Sequence, residues 1–288
     1  MTYRQILQEA IRKLQKAEIE EADNDAWILM SEAFNISRTD YFMKSGDECT
    51  DNARTELFDS MIERRVRREP LQYITGHAYF MGYEFRVTPD VLIPRFDTEI
   101  LVEKSLKYAS DGMKVLDMCT GSGCIAVSYA LQCRERGFCL KSPATKTPSN
   151  AVDISSAALS VAADNAMRAG VDINYIRSDM FTGVSGMYDM ILSNPPYIPT
   201  RDIEELEPEV RTSEPVGALD GHEDGLFFYR ILAAESPSHL KAGGRLIMEI
   251  GYNQADDVCS LLEQNKFADI EVIKDLAGHD RVVCGRRI

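Results

Sequence analysis

The sequence predicts an α/β protein with a mostly parallel sheet, preceded by a small helical domain. Three observations carry that reading. Apolar residues near the start of the chain recur at helical spacing. From about residue 95 onward, short β-rich runs alternate with helical stretches. A glycine loop, an aspartate and an Asn-Pro-Pro-Tyr tetrapeptide stand at the ends of expected strands, where open parallel sheets bind ligands.

The elements follow in order. Ile6, Leu7, Ala10, Ile11 and Leu14 share one helical face, and Ala26, Ile28, Leu29, Met30, Ala33 and Phe34 form a second apolar stretch. A third helix is expected from about Asn52 to Glu69, with Leu57, Met61 and Ile62 inward and Pro70 ending it. Its tail, Arg64-Arg65-Val66-Arg67-Arg68, reads as a solvated face balanced by Glu63 and Glu69. Tyr79 to Val87 alternates around Gly82 and suggests a β-hairpin. Lys114 to Met118 is a strand, and a helix should run from about Cys124 to Gln132. Ala151 to Ile154 ends a second strand, after which Ser155 can cap a helix through Ala169. Further strands are expected at Ile173–Ser178, Tyr188–Ser193, Arg245–Ile250, Ile270–Lys274 and Val282–Cys284. The stretch from Cys133 to Asn150 contains Pro143 and Pro148 and reads as a loop that leaves the second strand short. The division is a helical domain over 1–75, a hairpin linker over 76–94 and an α/β domain over 95–288.

Composition narrows the function. The chain has 288 residues, long enough to bury a sizeable core. Its formal net charge of −14 weighs against a nucleic acid as the main partner, which a basic surface would serve better. No run is long and apolar enough to span a membrane, and the start of the chain lacks a signal-peptide pattern, so a cytoplasmic location is expected. The seven cysteines form no Cys-x-x-Cys pair and the four histidines are far apart. Reduced thiols and no metal site are expected.

Asp117-Met118-Cys119-Thr120-Gly121-Ser122-Gly123 joins a strand to its helix, and the glycines let backbone approach a ligand. It lacks the full Gly-x-Gly-x-x-Gly of dinucleotide sites. The spacing Asp-x-x-x-Gly-x-Gly suits S-adenosyl-L-methionine, whose sulfonium is cationic and which carries no pyrophosphate. Asp153, ending the next strand, can accept from both ribose hydroxyls, or it can simply support the helix that follows. Asp179 could accept from an adenine amino group and Met180 could pack on the ring, although a plain turn is an equal reading.

Asn194-Pro195-Pro196-Tyr197 follows the strand Asp189–Ser193. Two prolines supply no N–H, so the segment cannot continue as a helix or an inner strand. The Pro195 carbonyl and the Asn194 side-chain oxygen can then converge on one –NH₂ group, with Tyr197 stacking on its flat face. Amide nitrogen is a poor nucleophile because its lone pair is delocalised. Catalysis must come largely from alignment, helped by acceptors that gain strength as positive charge develops. No general base is obvious, and the methylated amide cation would lose its proton readily.

The sequence resembles the glutamine methyltransferases of peptide chain release factors, the HemK or PrmC family, over nearly its whole length. The resemblance lies in Tyr73-Ile74-Thr75-Gly76, in Val91-Leu92-Ile93-Pro94-Arg95-Phe96-Asp97-Thr98-Glu99, in the glycine loop and in Ala151 to Ser155. It continues through Ser178-Asp179, Asn194 to Ile198, Glu214-Pro215, Asp224-Gly225-Leu226, Tyr229-Arg230, Glu249-Ile250-Gly251 and Lys274-Asp275-Leu276. It implies a Rossmann-like methyltransferase domain with a seven-stranded sheet, a hairpin linker and a helical domain that helps hold the substrate. It implies a class I release factor as partner, methylated on the amide nitrogen of the glutamine in its Gly-Gly-Gln loop. No direct nucleic-acid substrate and no membrane partner are expected, and a monomer is. A sister family acts on a glutamine of a ribosomal protein, and Asp97-Thr98-Glu99 favours the release-factor branch.

Three positions depart from the family pattern. Cys119 stands where glycine is usual, Phe96 replaces a proline, and the stretch from Cys133 to Asn150 is longer. The competing readings are a DNA or RNA amino-methyltransferase, which would want a basic groove, and a binding module without turnover, which would want a broken Asn-Pro-Pro-Tyr.

Overall fold

A computed structural model describes residues 1–138 and 149–288. In chain order the helices are α1 (Tyr3–Lys16), α2 (Ala22–Phe34), α3 (Arg38–Lys44), α4 (Asn52–Val66), α5 (Leu71–Thr75), α6 (Phe96–Leu106), α7 (Cys124–Glu135), α8 (Ser156–Ala169), α9 (Pro208–Ser213), α10 (Phe227–His239) and α11 (Ala255–Gln264). The strands are β1 (His77–Phe80), β2 (Tyr83–Arg86), β3 (Val115–Met118), β4 (Ser149–Asp153), β5 (Asn174–Arg177), β6 (Tyr188–Ser193), β7 (Leu240–Glu249), β8 (Phe267–Lys274) and β9 (Asp280–Arg287). The chain forms two compact units. One is Met1–Gly76 with Glu207–Ser213, and the other is His77–Leu206 with Glu214–Ile288.

The helical unit buries Ile6, Leu7, Ala10 and Leu14 of α1 against α2 and α4. Thr2 and Gln5 close a capping box that satisfies two N–H groups at the start of α1. On α4, Ile62 is buried and Met61 packs against the core as expected, and one expected position fails. Leu57 is exposed, and Phe58 with Ile62 faces the core. The helix also stops at Val66, because Arg68 takes a left-handed conformation, and Pro70 then caps α5 instead of closing α4. The basic tail is a solvated face only in part: Arg67 is exposed, but Arg65 and Arg68 turn to partners within the unit. Only Arg64 pairs as expected, with Glu69 at 2.5 Å. Arg65 is 11% exposed and binds Asp25 of α2 at 2.7 Å and Glu209 of α9 at 3.0 Å, and Arg68 joins it on Glu209 at 3.2 Å. These arginines fasten three helices of the unit to one another.

The second unit carries a seven-stranded sheet in the order β5-β4-β3-β6-β7-β9-β8. The strands from β5 to β7 are parallel, and β9 runs antiparallel to both β7 and β8. Every residue of β3 is buried, as a central parallel strand covered on both faces requires. From β3 the chain moves outward to β4 and β5, then returns to β6 on the other side of β3. That reversal opens a crevice at the carboxyl ends of β3 and β6. The second strand begins at Ser149, earlier than expected, and the loop expected from Cys133 gives way to helix as far as Glu135. The remainder of that expected loop, 139–148, lies outside the described residues.

The hairpin expected as a linker packs with the sheet unit. Phe80 and Phe85 enter its core, and Asn165 of α8 accepts from the Arg86 N–H at 2.8 Å. Its two-residue turn places Met81 and Gly82 at positive φ, the geometry that matches the twist of paired strands. Glu99 of α6 accepts from the Met81 N–H and holds that turn.

Arg65→Leu should destabilise the helical unit by about 3 kcal/mol, because Asp25 is left buried without its partner. Denaturant unfolding of the variant checks this, and an unchanged transition would show that the arginine tail carries no structural role.

Candidate active site

Register places the site. Met118 of β3 sits level with Val152 of β4 on one side and Ser193 of β6 on the other. The loops that leave these strands therefore start side by side. Cys119, Gly121 and Gly123 all take positive φ, so the first loop folds back tightly before α7. Cys119 adopts a conformation that glycine reaches without strain, which accounts for glycine being usual there. At Gly123 an added Cβ would lie 3.0 Å from Ala162 of α8, so only glycine fits easily.

The loop is fixed from below by Asp117. Its Oδ2 accepts from the Thr120 hydroxyl at 2.6 Å and from the Ala126 N–H at 3.2 Å, while Oδ1 is buried without a partner. Burial pushes this carboxyl up to about 7, against the hydrogen bonds from Thr120 and Ala126 that favour its charged form. Asp117 and Gly123, both expected to touch the cofactor, are not on the cavity wall and act beneath the loop.

Asp153 is half-buried on the wall. It accepts from the Gly121 N–H at 2.9 Å and from the Ser155 N–H at 2.9 Å. Burial raises its pKa, opposed by these backbone donors. Both readings of Asp153 therefore meet in one side chain: it steadies the glycine loop and the start of α8, and its remaining lone pairs face the cavity. Ser155 itself caps α8 by accepting from Ala158.

The cavity has a volume of about 570 Å³, within the roughly 300–1,000 Å³ of small-ligand sites. Cys119, Thr120, Gly121 and Ser122 line it from the first loop, Asp153 from the second, Asp179 and Met180 from the third, and Asn194 with Pro196 from the fourth. The Cys119 Sγ lies 3.9 Å from the Met180 sulfur, and burial pushes the Cys119 thiol upward, so it stays protonated. Asp90, Asp153, Asp179 and Asp220 line the space, and the Arg95 guanidinium there is paired with Glu214 at 2.5 Å. An acidic cavity with an apolar floor and a ribose-level carboxylate fits S-adenosylmethionine, a cationic nucleoside.

Asn194 donates from Nδ2 to the Thr98 hydroxyl at 3.2 Å. Its Oδ1 is thereby left as the acceptor. Pro195 and Tyr197, expected beside it, are not on the wall. The Tyr197 hydroxyl donates to Glu249 at 3.4 Å, and burial next to Glu249 raises its pKa. After Tyr197 the chain pairs with 219–222: Ile198 donates to the Leu219 carbonyl at 3.0 Å and Gly221 to Ile198 at 2.8 Å. This brings Val216, Gly217, Ala218 and His222 onto the wall, residues without any sequence signal of their own. Gly225 is obligatory there, since a Cβ would come within 2.4 Å of the Tyr197 carbonyl. The wall residues Asp90, Phe227 and Phe228 were also silent in the sequence.

Among the described residues there is no group of three metal-ligating side chains, and no helix is long and apolar enough to cross a membrane.

Comparison with known proteins agrees with this architecture. Residues 5–76 match the PrmC N-terminal domain, and residues 95–206 match the methyltransferase small domain. The chain is 38% identical over 286 residues to the release factor glutamine methyltransferase of Geobacter sulfurreducens, covering 99% of this chain and 96% of that one. It is 40% identical over 282 residues to the release factor glutamine methyltransferase of Cereibacter sphaeroides, covering 97% and 96% respectively. A methyltransferase crystal structure from Pyrococcus furiosus shares the fold, with 15% identity, a TM-score of 0.50, and coverage of 72% of this chain and 90% of that one.

Two measurements probe the site. Asp153→Ala should weaken S-adenosylmethionine binding by roughly 1.5–3 kcal/mol, the worth of hydrogen bonds to a charged group. Calorimetry that finds wild-type affinity in the folded variant would remove Asp153 from the cofactor site. Asp117 gives a pH signature. Its native pKa, about 7, lies above an unfolded value of roughly 3.9. Between those values the native state holds a proton that the unfolded state lacks, so its contribution is full at low pH and is lost as pH rises through the native pKa. The stability gap between wild type and Asp117→Asn should therefore shift against the wild type from pH 5 to pH 8. Parallel denaturation profiles across that range would contradict a protonated Asp117.

Proposed function

This chain belongs to the release factor glutamine methyltransferase family, and from that premise we propose that it methylates the glutamine of the Gly-Gly-Gln loop of class I release factors. It is an S-adenosylmethionine-dependent transferase with a Rossmann-like catalytic unit. The observation that carries the reading is the Asn194 amide: Nδ2 is engaged by Thr98, which leaves Oδ1 on the cavity wall as a fixed acceptor. An acceptor fixed at that point suits a substrate –NH₂.

When bound, S-adenosylmethionine supplies a methyl group activated by the positive sulfonium. Asp153 holds the ribose, Asp179 and Met180 the adenine side, and the loop from Cys119 to Ser122 follows the remainder. The residues of the tetrapeptide handle the substrate. Asn194 Oδ1 accepts one hydrogen of the glutamine –NH₂, which turns its nitrogen toward the methyl. That acceptor strengthens as the nitrogen becomes cationic. The helical unit, which resembles the family's substrate-holding domain, docks the release factor. All wall residues come from the chain's second unit, and the reading is of a monomeric enzyme acting in the cytoplasm.

The test is turnover on a purified release factor with labelled S-adenosylmethionine. Asn194→Ala should lower the rate at saturating cofactor by about 10²-fold, the effect of losing one positioned transition-state hydrogen bond. A release factor whose glutamine is shortened to asparagine withdraws the nitrogen by ~1.5 Å, and should be modified at about 10⁻² of the rate. Equal rates for Asn194→Ala and wild type would sink the orienting role of the tetrapeptide.

A further inference from the structure

S-adenosylmethionine is not only a cation. Beside its sulfonium and its ammonium it carries a carboxylate, which an acidic cavity repels unless a cation stands opposite it. We propose that Arg95 receives the carboxylate of the cofactor. The proposal rests on the reading that this cavity takes S-adenosylmethionine, and it is independent of the protein substrate.

Four aspartates, Asp90, Asp153, Asp179 and Asp220, line the cavity, and Arg95 is the one lysine or arginine among the described residues of its wall. The aspartates suit the sulfonium, the ammonium and the ribose hydroxyls, and each adds repulsion against a ligand carboxylate. His222, the other basic side chain on the wall, sets its ring 4.3 Å from Phe227 and 5.7 Å from Phe228, in apolar company. Arginine matches a carboxylate well, because its planar fork offers paired N–H groups.

Arg95 stands directly before α6, at its N-cap, and its side chain is 40% exposed. It is tethered on one side, where Nη2 donates to Glu214 Oε1 at 2.5 Å. The Glu214 side chain is 1% exposed, and its Oε2 is buried without a partner. The pair is therefore lopsided, with the carboxylate sunk in the protein and the guanidinium nearer the solvent. A guanidinium carries five N–H donors, so one bond to Glu214 does not exhaust the fork. The tether also reduces the side-chain freedom that a loose arginine would lose on binding.

The position along the cofactor agrees. The Arg95 carbonyl accepts from the Thr98 N–H at 3.1 Å, and the Thr98 hydroxyl accepts from Asn194 Nδ2 at 3.2 Å. Arg95 thus begins the helical turn that borders Asn194, the residue placed beside the transferred methyl. In the cofactor a short carbon chain joins the carboxylate to the same sulfur, so methyl and carboxylate fall at one end of the molecule. The adenine, at the other end, lies with Asp179 and Met180 of the third loop in this reading.

The rival role for Arg95 is purely mechanical, an anchor for Glu214 and the segment behind it. Decarboxylated S-adenosylmethionine separates the two roles, because it keeps the nucleoside, the sulfonium and the amine and lacks only the carboxylate. Calorimetry measures the affinity of the full chain for each compound, with no protein substrate present. The wild type should bind S-adenosylmethionine about tenfold or more tighter than the decarboxylated compound. Arg95→Met, which keeps the apolar stem, should lose about tenfold or more in affinity for S-adenosylmethionine and bind the decarboxylated compound at least as well as the wild type does. Arg95→Lys, which keeps the charge without the fork, should fall between the two. An equal loss for both compounds in Arg95→Met would leave only the mechanical anchor and overturn the proposal, as would a wild type indifferent to the carboxylate. Should Arg95→Met fail to fold, the wild-type comparison and Arg95→Lys decide. A wild type that binds neither compound overturns the cofactor reading itself, and the proposal with it.

Discussion

The whole site depends on one constraint, the shared register of three parallel strands. β4, β3 and β6 place Val152, Met118 and Ser193 at one level, so the loops after β4 and β6 each begin one strand spacing from the loop after β3. The glycine loop, Asp153 and Asn194 converge for that reason and need no further adjustment. A slip of one residue would exchange the faces of a strand and send Asp153 or Asn194 away from the crevice. Backbone contacts across the loops secure the level further. Thr120 donates to the Val152 carbonyl at 2.9 Å, and the Ser193 hydroxyl donates to the Met118 carbonyl at 2.8 Å.

The first turn of α6 ties the crevice to the rest of the unit. Four nearby side chains reach four different places. Arg95 holds Glu214, whose own side chain is buried, and so anchors the segment leading to Val216. Asp97 meets Arg281 on β9 at 3.2 Å, Thr98 receives Asn194, and Glu99 holds the hairpin turn at Met81. Asp97 and Glu99 also stand where acidic side chains favour a helix N-terminus. The Ile-Pro-Arg-x-Asp-Thr-Glu segment is specific because each of its polar residues has a separate mechanical task. Phe96 is tolerated where proline is usual because it occupies the first helical position, where proline supplies only a preset φ, and its ring is 77% exposed.

Much of this was legible in the sequence, for local reasons. Buried parallel strands are short apolar runs, and the residues that end them are neighbours in sequence of the residues that fix them. Asp153 and Asn194 could be placed on the cavity from that alone. Asp117 could not, because a carboxylate at a strand end faces the ligand or the loop according to tertiary packing. The partner of the Tyr197 hydroxyl was hidden for the same reason: it is Glu249, 52 positions away. The phase of α4 was ambiguous because Leu57, Phe58, Met61 and Ile62 offer two adjacent apolar faces. The arginine tail looked solvated because its partners, Asp25 and Glu209, lie 40 and 144 positions from Arg65. Thr98 was visible as part of a matching segment, but its contact with Asn194, 96 positions away, exists only once α6 and β6 pack together.

The central claim is that the crevice delivers one methyl group to one kind of nitrogen. Tandem mass spectrometry of a release factor, after incubation with this protein and isotopically labelled S-adenosylmethionine, tests it most directly. The account predicts a single labelled methyl group, on the side-chain amide nitrogen of the glutamine in the Gly-Gly-Gln loop. An unlabelled release factor, with the label instead on a base amino group of nucleic acid offered in the same reaction, would contradict it.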